Sequence, residues 1–198
     1  MRPAVFLDRD GVLTEEVFYP ATGEWEAALD PRDVVLRPGA AESLVRLGRQ
    51  GFILVLVSNQ AAHAKGKASL ETLWQVHLRF VELLRQGGAA LDDACYSFSH
   101  PDGVVPYFSG PSLERKPSPY LIKVAAARHG VALERSWMVG DRQTDVMAGQ
   151  RAGLRAIRIA NPHASDTAEA VVPTFRAPDL AAAVDFIVEQ DGALRARP

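Results

Sequence analysis

Several things are scarce in this chain, and each scarcity excludes something. Among 198 residues there is one cysteine, Cys95, so no internal disulfide can form. It lies in an apolar stretch and reads as a small buried hydrophobe. No apolar run approaches the roughly 20 residues that a membrane-crossing helix needs. The N-terminal run Ala4-Val5-Phe6-Leu7 is too short for a signal-peptide core, and acidic residues follow at once. Neither charge is in excess: 22 Lys and Arg stand against 24 Asp and Glu, a formal net charge of −2. A sequence-blind nucleic-acid binder would need a basic face, and this balance argues against that class. There is no internal repeat, low-complexity tract or linker. These features lead to the expectation of one domain over residues 1–198, a monomer, acting in the cytoplasm on neither nucleic acid nor membrane.

What is present is an alternation of apolar runs with helical patterns, the signal for βαβ units. Strands are expected near 4–7, 52–57, 92–97, 136–139 and 155–159, with a weaker one near 170–172. The continuous run Phe52 to Val57 suits a strand buried on both faces. Helices are expected over 40–50, over 69–86 with Ser69 as cap, and over 118–130 with Pro119 just inside the start. Two more are expected, from Asp141 to Gly153 and from Asp179 to about Gln190, followed by a frayed tail from Asp191. The apolar residues Leu70, Leu73, Trp74, Leu78, Val81 and Leu84 read as the core-facing side of the helix at 69–86. The fold class is α/β: a Rossmann-like three-layer α/β/α sandwich with a mainly parallel sheet and no large cap domain. Two connections, 11–37 and 98–117, are long for a compact domain, and such loops are usually functional.

The first strand ends in Leu7-Asp8-Arg9-Asp10-Gly11. Two aspartates two apart share one side of an extended chain. At a strand tip they can be a nucleophile and a proton donor, or two metal ligands; an Asp-rich turn is the plain alternative. Three further segments accompany them: Val57-Ser58-Asn59-Gln60, Arg115-Lys116-Pro117, and Gly140-Asp141-Arg142 with Asp145 beyond.

In this order the segments resemble the four motifs of the haloacid dehalogenase-like (HAD) hydrolases, over Val5 to about Ile159. The resemblance implies a magnesium-dependent phosphomonoester hydrolase working through an aspartyl-phosphate. It implies Asp8 as nucleophile and Asp10 as general acid and base, with Ser58 and Lys116 binding the transferring phosphoryl group. Asp8, the backbone carbonyl of Asp10, and Asp141 would hold Mg2+, and Asp145 would orient that ligand set. Within the superfamily the chain looks most like the heptose bisphosphate and histidinol-phosphate phosphatases, through Ala64-Lys65-Gly66, His100-Pro101-Asp102-Gly103 and Arg115-Lys116-Pro117-Ser118-Pro119. That resemblance implies substrate contacts from Arg9, from Glu16, Val17, Phe18 and Tyr19, from Ser58, Asn59, Gln60 and Ala61, and from Arg115, Lys116 and Arg142. Glu24, Trp25 and Glu26 would line the entrance, and His63, just past the second motif, is within reach.

One feature departs from the family. Zinc staples its long loop through Cys and His, but the matching positions here are Ser97, Ser99, Ser112 and Glu114. Serine is not a usual zinc ligand, so no structural zinc is expected. Packing by Val104, Val105, Tyr107 and Phe108 would hold the loop instead. The expected ligand is a small phosphorylated metabolite, foremost a sugar bisphosphate such as D-glycero-D-manno-heptose 1,7-bisphosphate. Histidinol phosphate, a phosphometabolite-binding protein without turnover, and transfer to an acceptor other than water are the alternatives.

Overall fold

The computed structural model describes residues 1–164 and 171–195. Strand β1 (Ala4–Leu7) sits in the middle of the molecule, every residue buried. Successive side chains of a strand point to opposite faces, so Val5 and Leu7 enter one hydrophobic cluster while Ala4 and Phe6 enter another. Neighbouring β4 (Ile53–Asn59) divides in the same way, with Leu54 and Leu56 on one face and Ile53, Val55 and Val57 on the other. A sheet covered on both faces explains why these strands read as unbroken apolar runs.

The remaining strands of this sheet are β5 (Asp93–Ser97), β6 (Trp137–Gly140), β7 (Arg155–Ile159) and β8 (Phe175–Ala177), in the order β5-β4-β1-β6-β7-β8. Every pairing is parallel. Helices α1 (Ala40–Arg49), α2 (Leu70–Gln86) and α5 (Leu180–Arg195) cover one face. Helices α3 (Tyr120–His129) and α4 (Gln143–Ala152) cover the other. The strand order reverses between β1 and β6, and a crevice opens there at the carboxyl ends of the strands. All four sequence motifs lie at those ends.

Several expectations need correction. The weak strand near 170–172 is absent at 171–172, while residue 170 lies outside the described residues. The Gln143 side chain accepts the Val171 N–H at 3.2 Å and Gln150 donates to the Val172 carbonyl at 2.7 Å, so side chains occupy that backbone. Pro173 intervenes, and the edge strand forms at 175–177 instead. The last helix continues to Arg195, and Asp191 is buried and paired with Arg135 at 3.3 Å rather than frayed. Ser69 caps α2 by accepting the Thr72 N–H at 2.9 Å. The buried face of α2 is Leu73, Val76, Phe80 and Leu84, whereas Leu70, Trp74, Leu78 and Val81 are exposed. Helix α3 begins at Tyr120, with Pro119 in the capping position rather than inside it.

The connection 11–37 contains a small antiparallel hairpin that the sequence did not announce, β2 (Val17–Tyr19) and β3 (Glu24–Glu26), with Phe18 opposite Trp25. Its turn closes with the Thr22 and Gly23 N–H groups both donating to the Tyr19 carbonyl. The loop 98–117 is held chiefly by backbone hydrogen bonds: His100 N–H to Phe108 at 3.0 Å, Gly110 N–H to His100 at 3.2 Å and Val104 N–H to Ala64 at 2.7 Å. Packing is not the clamp, because Val104 and Tyr107 project into solvent; only Phe108 finds a ring, that of His63, edge-on at 4.7 Å.

Candidate active site

β1 runs one residue past its end, since Asp8 N–H donates to the Val139 carbonyl of β6 at 3.0 Å. The chain then folds back on itself. The Arg9 carbonyl accepts from Leu13 and Thr14 N–H groups, and Gly11 takes a left-handed φ of +78°. A side chain at 11 is excluded twice: by that φ, and because its Cβ would stand 2.5 Å from Asn161 Nδ2 and 2.7 Å from Asp141 Oδ2. The fold-back leaves the Asp8 and Asp10 carboxylates in different company. Asp10 accepts from Arg9 Nε at 3.0 Å, Gln60 Nε2 at 2.6 Å and Thr14 Oγ1 at 3.1 Å.

Asp8 faces Lys116 instead. The Lys116 ammonium is buried, donates to the Val57 carbonyl at 2.7 Å, and lies 2.9 Å from Asp8 Oδ1 and 2.6 Å from Asp145 Oδ1. Asn59 sets its backbone, donating to the Lys116 carbonyl at 3.1 Å and accepting its N–H at 3.0 Å. Burial by itself would lower the lysine pKa, but Asp145 and Asp8 outweigh it and hold the ammonium charged.

Asp8, Asp141 and Asp145 form one buried cluster, with a carboxylate oxygen of each within 4.8 Å of the others. Burial, then the charges of Asp145 and Asp8, push Asp141 up to about 8. Burial also raises Asp8 to about 6 against the pull of Lys116. Asp141 Oδ1 is buried without a hydrogen-bond partner, while its other oxygen accepts from Asn161 at 2.7 Å. Lys116, with an Arg142 that is 3.9 Å from Asp141 but shared with Glu16, does not neutralise three converging carboxylates. An all-oxygen donor set with an orphaned oxygen therefore fits a hard divalent cation such as Mg2+. Asp10 contributes no carboxylate to this cluster; Asp145 does.

The cluster adjoins a cavity of about 700 Å³. Asp8, Asp10, Glu16, Asn59, Gln60, Ala61, Arg115, Lys116 and Arg142 line it, as do Glu24, Trp25 and Glu26. Arg9, Val17, Phe18, Tyr19 and Ser58 are not brought to it. Arg9 is buried, with its guanidinium on Asp10 and, at 2.7 Å, on Gln60 Oε1. Ser58 is buried and accepts from Gln60 Nε2 at 3.0 Å. Val17 packs on the core, and Phe18 packs on Trp25. Tyr19 braces the hairpin base, donating to Asp33 at 2.9 Å and accepting the Leu29 N–H at 2.8 Å. Glu16 borders the cavity but is held by Arg142 at 3.0 Å and Asn161 at 2.9 Å. His63 turns away, its Nδ1 3.0 Å from the Ala68 carbonyl. Of the four positions matching the family's zinc ligands, Ser97 is buried, Ser99 gives its carbonyl to Arg115 at 3.1 Å, and Ser112 accepts the Glu114 N–H at 3.2 Å.

Arg115 and Arg142 are two of the cavity's cations, with Arg142 Nε 3.9 Å from Asp141 Oδ2. Burial, then the neighbouring Arg142, lowers the Arg115 pKa; Asp141 and Glu16 hold Arg142 raised despite its burial. Lys65, His100, Asn161 and His163 were not singled out from sequence as part of the site. No motif marks the last two; the available signal was their position just beyond the carboxyl end of β7.

Comparison with known proteins decides the family. A family model described as HAD-hydrolase-like matches residues 113–183. The D-glycero-D-manno-heptose-1,7-bisphosphate 7-phosphatase of Thermosynechococcus vestitus is 38% identical over 195 residues, covering 94% of this chain and 95% of that protein. This chain belongs to the heptose bisphosphate phosphatase family of HAD-like hydrolases. A second member, from Chlorobaculum tepidum, is 30% identical with 91% of each chain covered. The crystal structure of D,D-heptose 1,7-bisphosphate phosphatase from B. bronchiseptica, complexed with magnesium and phosphate, superposes with a TM-score of 0.76 at 26% identity, covering 96% of this chain and 99% of that one. The family member described here is accordingly a phosphatase with the HAD-like Rossmann fold. Among the described residues no helix is long and apolar enough to cross a membrane.

Proposed function

We propose that this protein hydrolyses one phosphate of a small sugar bisphosphate, with D-glycero-D-manno-heptose 1,7-bisphosphate the foremost candidate, in a magnesium-dependent reaction. The supporting observation is the buried Asp8–Asp141–Asp145 cluster, with Lys116 against Asp8 and Asp145 and Arg142 3.9 Å from Asp141, beside a cavity that Arg115 and Arg142 also line. The named substrate of its relatives carries two phosphates, and two cationic regions suit two phosphates.

In this reading Asp8 and Asp141, with the backbone carbonyl of Asp10, would hold Mg2+ while Asp145 steadies Lys116 beside them. Held there, Mg2+ would offset the repulsion between carboxylate and phosphoryl oxygens. The Asp8 carboxylate forms a bond to phosphorus as the bond to the leaving oxygen breaks. Asp10, held by Arg9, Gln60 and Thr14, gives its proton to that oxygen and then takes one from the water that attacks the aspartyl-phosphate. Lys116 binds a transferring oxygen. Ser58 acts at one remove, by positioning Gln60. Arg115 and Arg142 grip the phosphate that stays.

The test is phosphate release from heptose 1,7-bisphosphate and histidinol phosphate, with magnesium or with EDTA, beside Asp8→Asn. Turnover of the heptose bisphosphate that needs magnesium and vanishes in the variant supports the proposal. Preference for histidinol phosphate replaces the substrate, and binding without turnover replaces the reaction.

A further inference from the structure

The chemistry above leaves one feature of the cavity unused. The Trp25 indole and the His163 imidazole are stacked, with centroids 3.8 Å apart and planes 12° from parallel. Both border the cavity that holds Asp8. They come from separate elements, Trp25 from β3 and His163 from the loop after β7.

Each partner is anchored. Glu24 and Glu26, on either side of Trp25, both pair with the Lys67 ammonium ahead of α2. Alternation along the strand sends Trp25 the opposite way, toward His163 on one side and Phe18 at 5.5 Å on the other. The His163 backbone N–H donates to Asn161 Oδ1 at 3.0 Å, and the Asn161 amide in turn donates to Asp141 at 2.7 Å and to Glu16 at 2.9 Å. The hairpin is thus tied beside α2 through Lys67 and beside β7 through the ring stack. A hydrogen-bond chain sets that stack's position from the carboxylate cluster itself.

We propose that Trp25 and His163 are specificity-determining residues, forming one wall of the substrate cavity. Their joined aromatic surface packs against the carbon skeleton of a small phosphorylated polyol, while Arg115 and Arg142 take its anionic end. The same wall, bridging two elements, denies room to bulkier phosphoesters such as nucleotides. The inference rests on the phosphatase reading of this cavity. Aromatic pairs contribute beyond the area they bury, and a lost apolar contact changes discrimination by roughly 10-fold or more.

The experiment compares wild type with Trp25→Ala, His163→Ala, His163→Phe and the double alanine variant, all checked for folding by thermal unfolding. Phosphate release is measured from heptose 1,7-bisphosphate and from AMP. Affinities for the same two compounds are measured calorimetrically with magnesium in the Asp8→Asn background. Each single alanine variant is expected to lower the preference for the bisphosphate by about 10-fold or more, chiefly through KM and Kd. His163→Phe, which keeps a ring, retains the preference, and the double variant is no worse than the single ones. An unchanged preference in both alanine variants would overturn the wall. Absence of turnover by wild type would overturn the phosphatase reading alone, since the affinities still report the wall. Binding of neither compound would overturn both.

Discussion

Asn161 Nδ2 lies 2.7 Å from Asp141 Oδ2 and 2.9 Å from Glu16 Oε2, so one amide joins the carboxylate cluster to the side chain that holds Arg142. No motif includes Asn161, yet it orients the aspartate with an unpaired oxygen. Partners of metal-holding carboxylates typically matter by about 10–100-fold in affinity. Asn161→Ala should weaken Mg2+ binding by that order, as read by calorimetric titration. Unchanged affinity would mean that Asp141 needs no such support.

Lys116 is the only cation in contact with Asp8 and Asp145 among the described residues. Lys116→Met keeps the stem and removes the charge, leaving buried carboxylates uncompensated, a loss of about 3–5 kcal/mol. Urea unfolding without metal at about pH 9, above the raised Asp141 and Asp8 values, should show that loss, and phosphate release should collapse. If stability without metal were unchanged or higher, the carboxylates would have to be protonated or hydrated in the folded protein.

The raised Asp141 and Asp8 make metal-free stability depend on pH. Both hold protons more tightly folded, at about 8 and about 6, than the ordinary carboxylate value of 3.8. Stability from these groups is therefore full below about pH 4 and is lost as pH rises through 6 and 8. A cation must displace those protons, so the rise in Tm given by Mg2+ should grow between about pH 6 and pH 8.5. Thermal unfolding with and without magnesium checks this; a pH-independent rise would contradict it.

Gln60 joins three groups: it donates to Asp10 at 2.6 Å and Ser58 at 3.0 Å, and accepts from Arg9 at 2.7 Å. Gln60→Ala should misplace the Asp10 proton. General acid catalysis contributes about 10²–10⁴-fold, which bounds the loss for Asp10→Asn; Gln60→Ala should lose a smaller share. Both losses should shrink with p-nitrophenyl phosphate, whose leaving oxygen needs little proton assistance. Equal losses on both substrates would place Gln60 in phosphate binding instead.

Some of this was legible in the chain itself. Strand and helix identities followed from apolar periodicity and from Gly and Pro punctuation, because those patterns are local consequences of burial and backbone sterics. Asp8 and Asp10 stood out at the end of an apolar strand run, whereas Lys116 and Asp141 stood out only through the motif order that resembles the HAD hydrolases. Tertiary structure decided the rest. Val17, Phe18 and Tyr19 read as a cavity loop, but the two-strand hairpin turns Val17 to the core and presents Glu24, Trp25 and Glu26 to the cavity. Arg9 and Ser58 sit inside motifs yet are buried, because Gln60 gathers them behind Asp10. Asn161 and His163 belong to no motif, and their one local signal is a place just beyond the end of β7. Only the parallel stacking of β7 beside β6, which brings strand ends far apart in sequence to one crevice, sets them against Asp141 and Trp25.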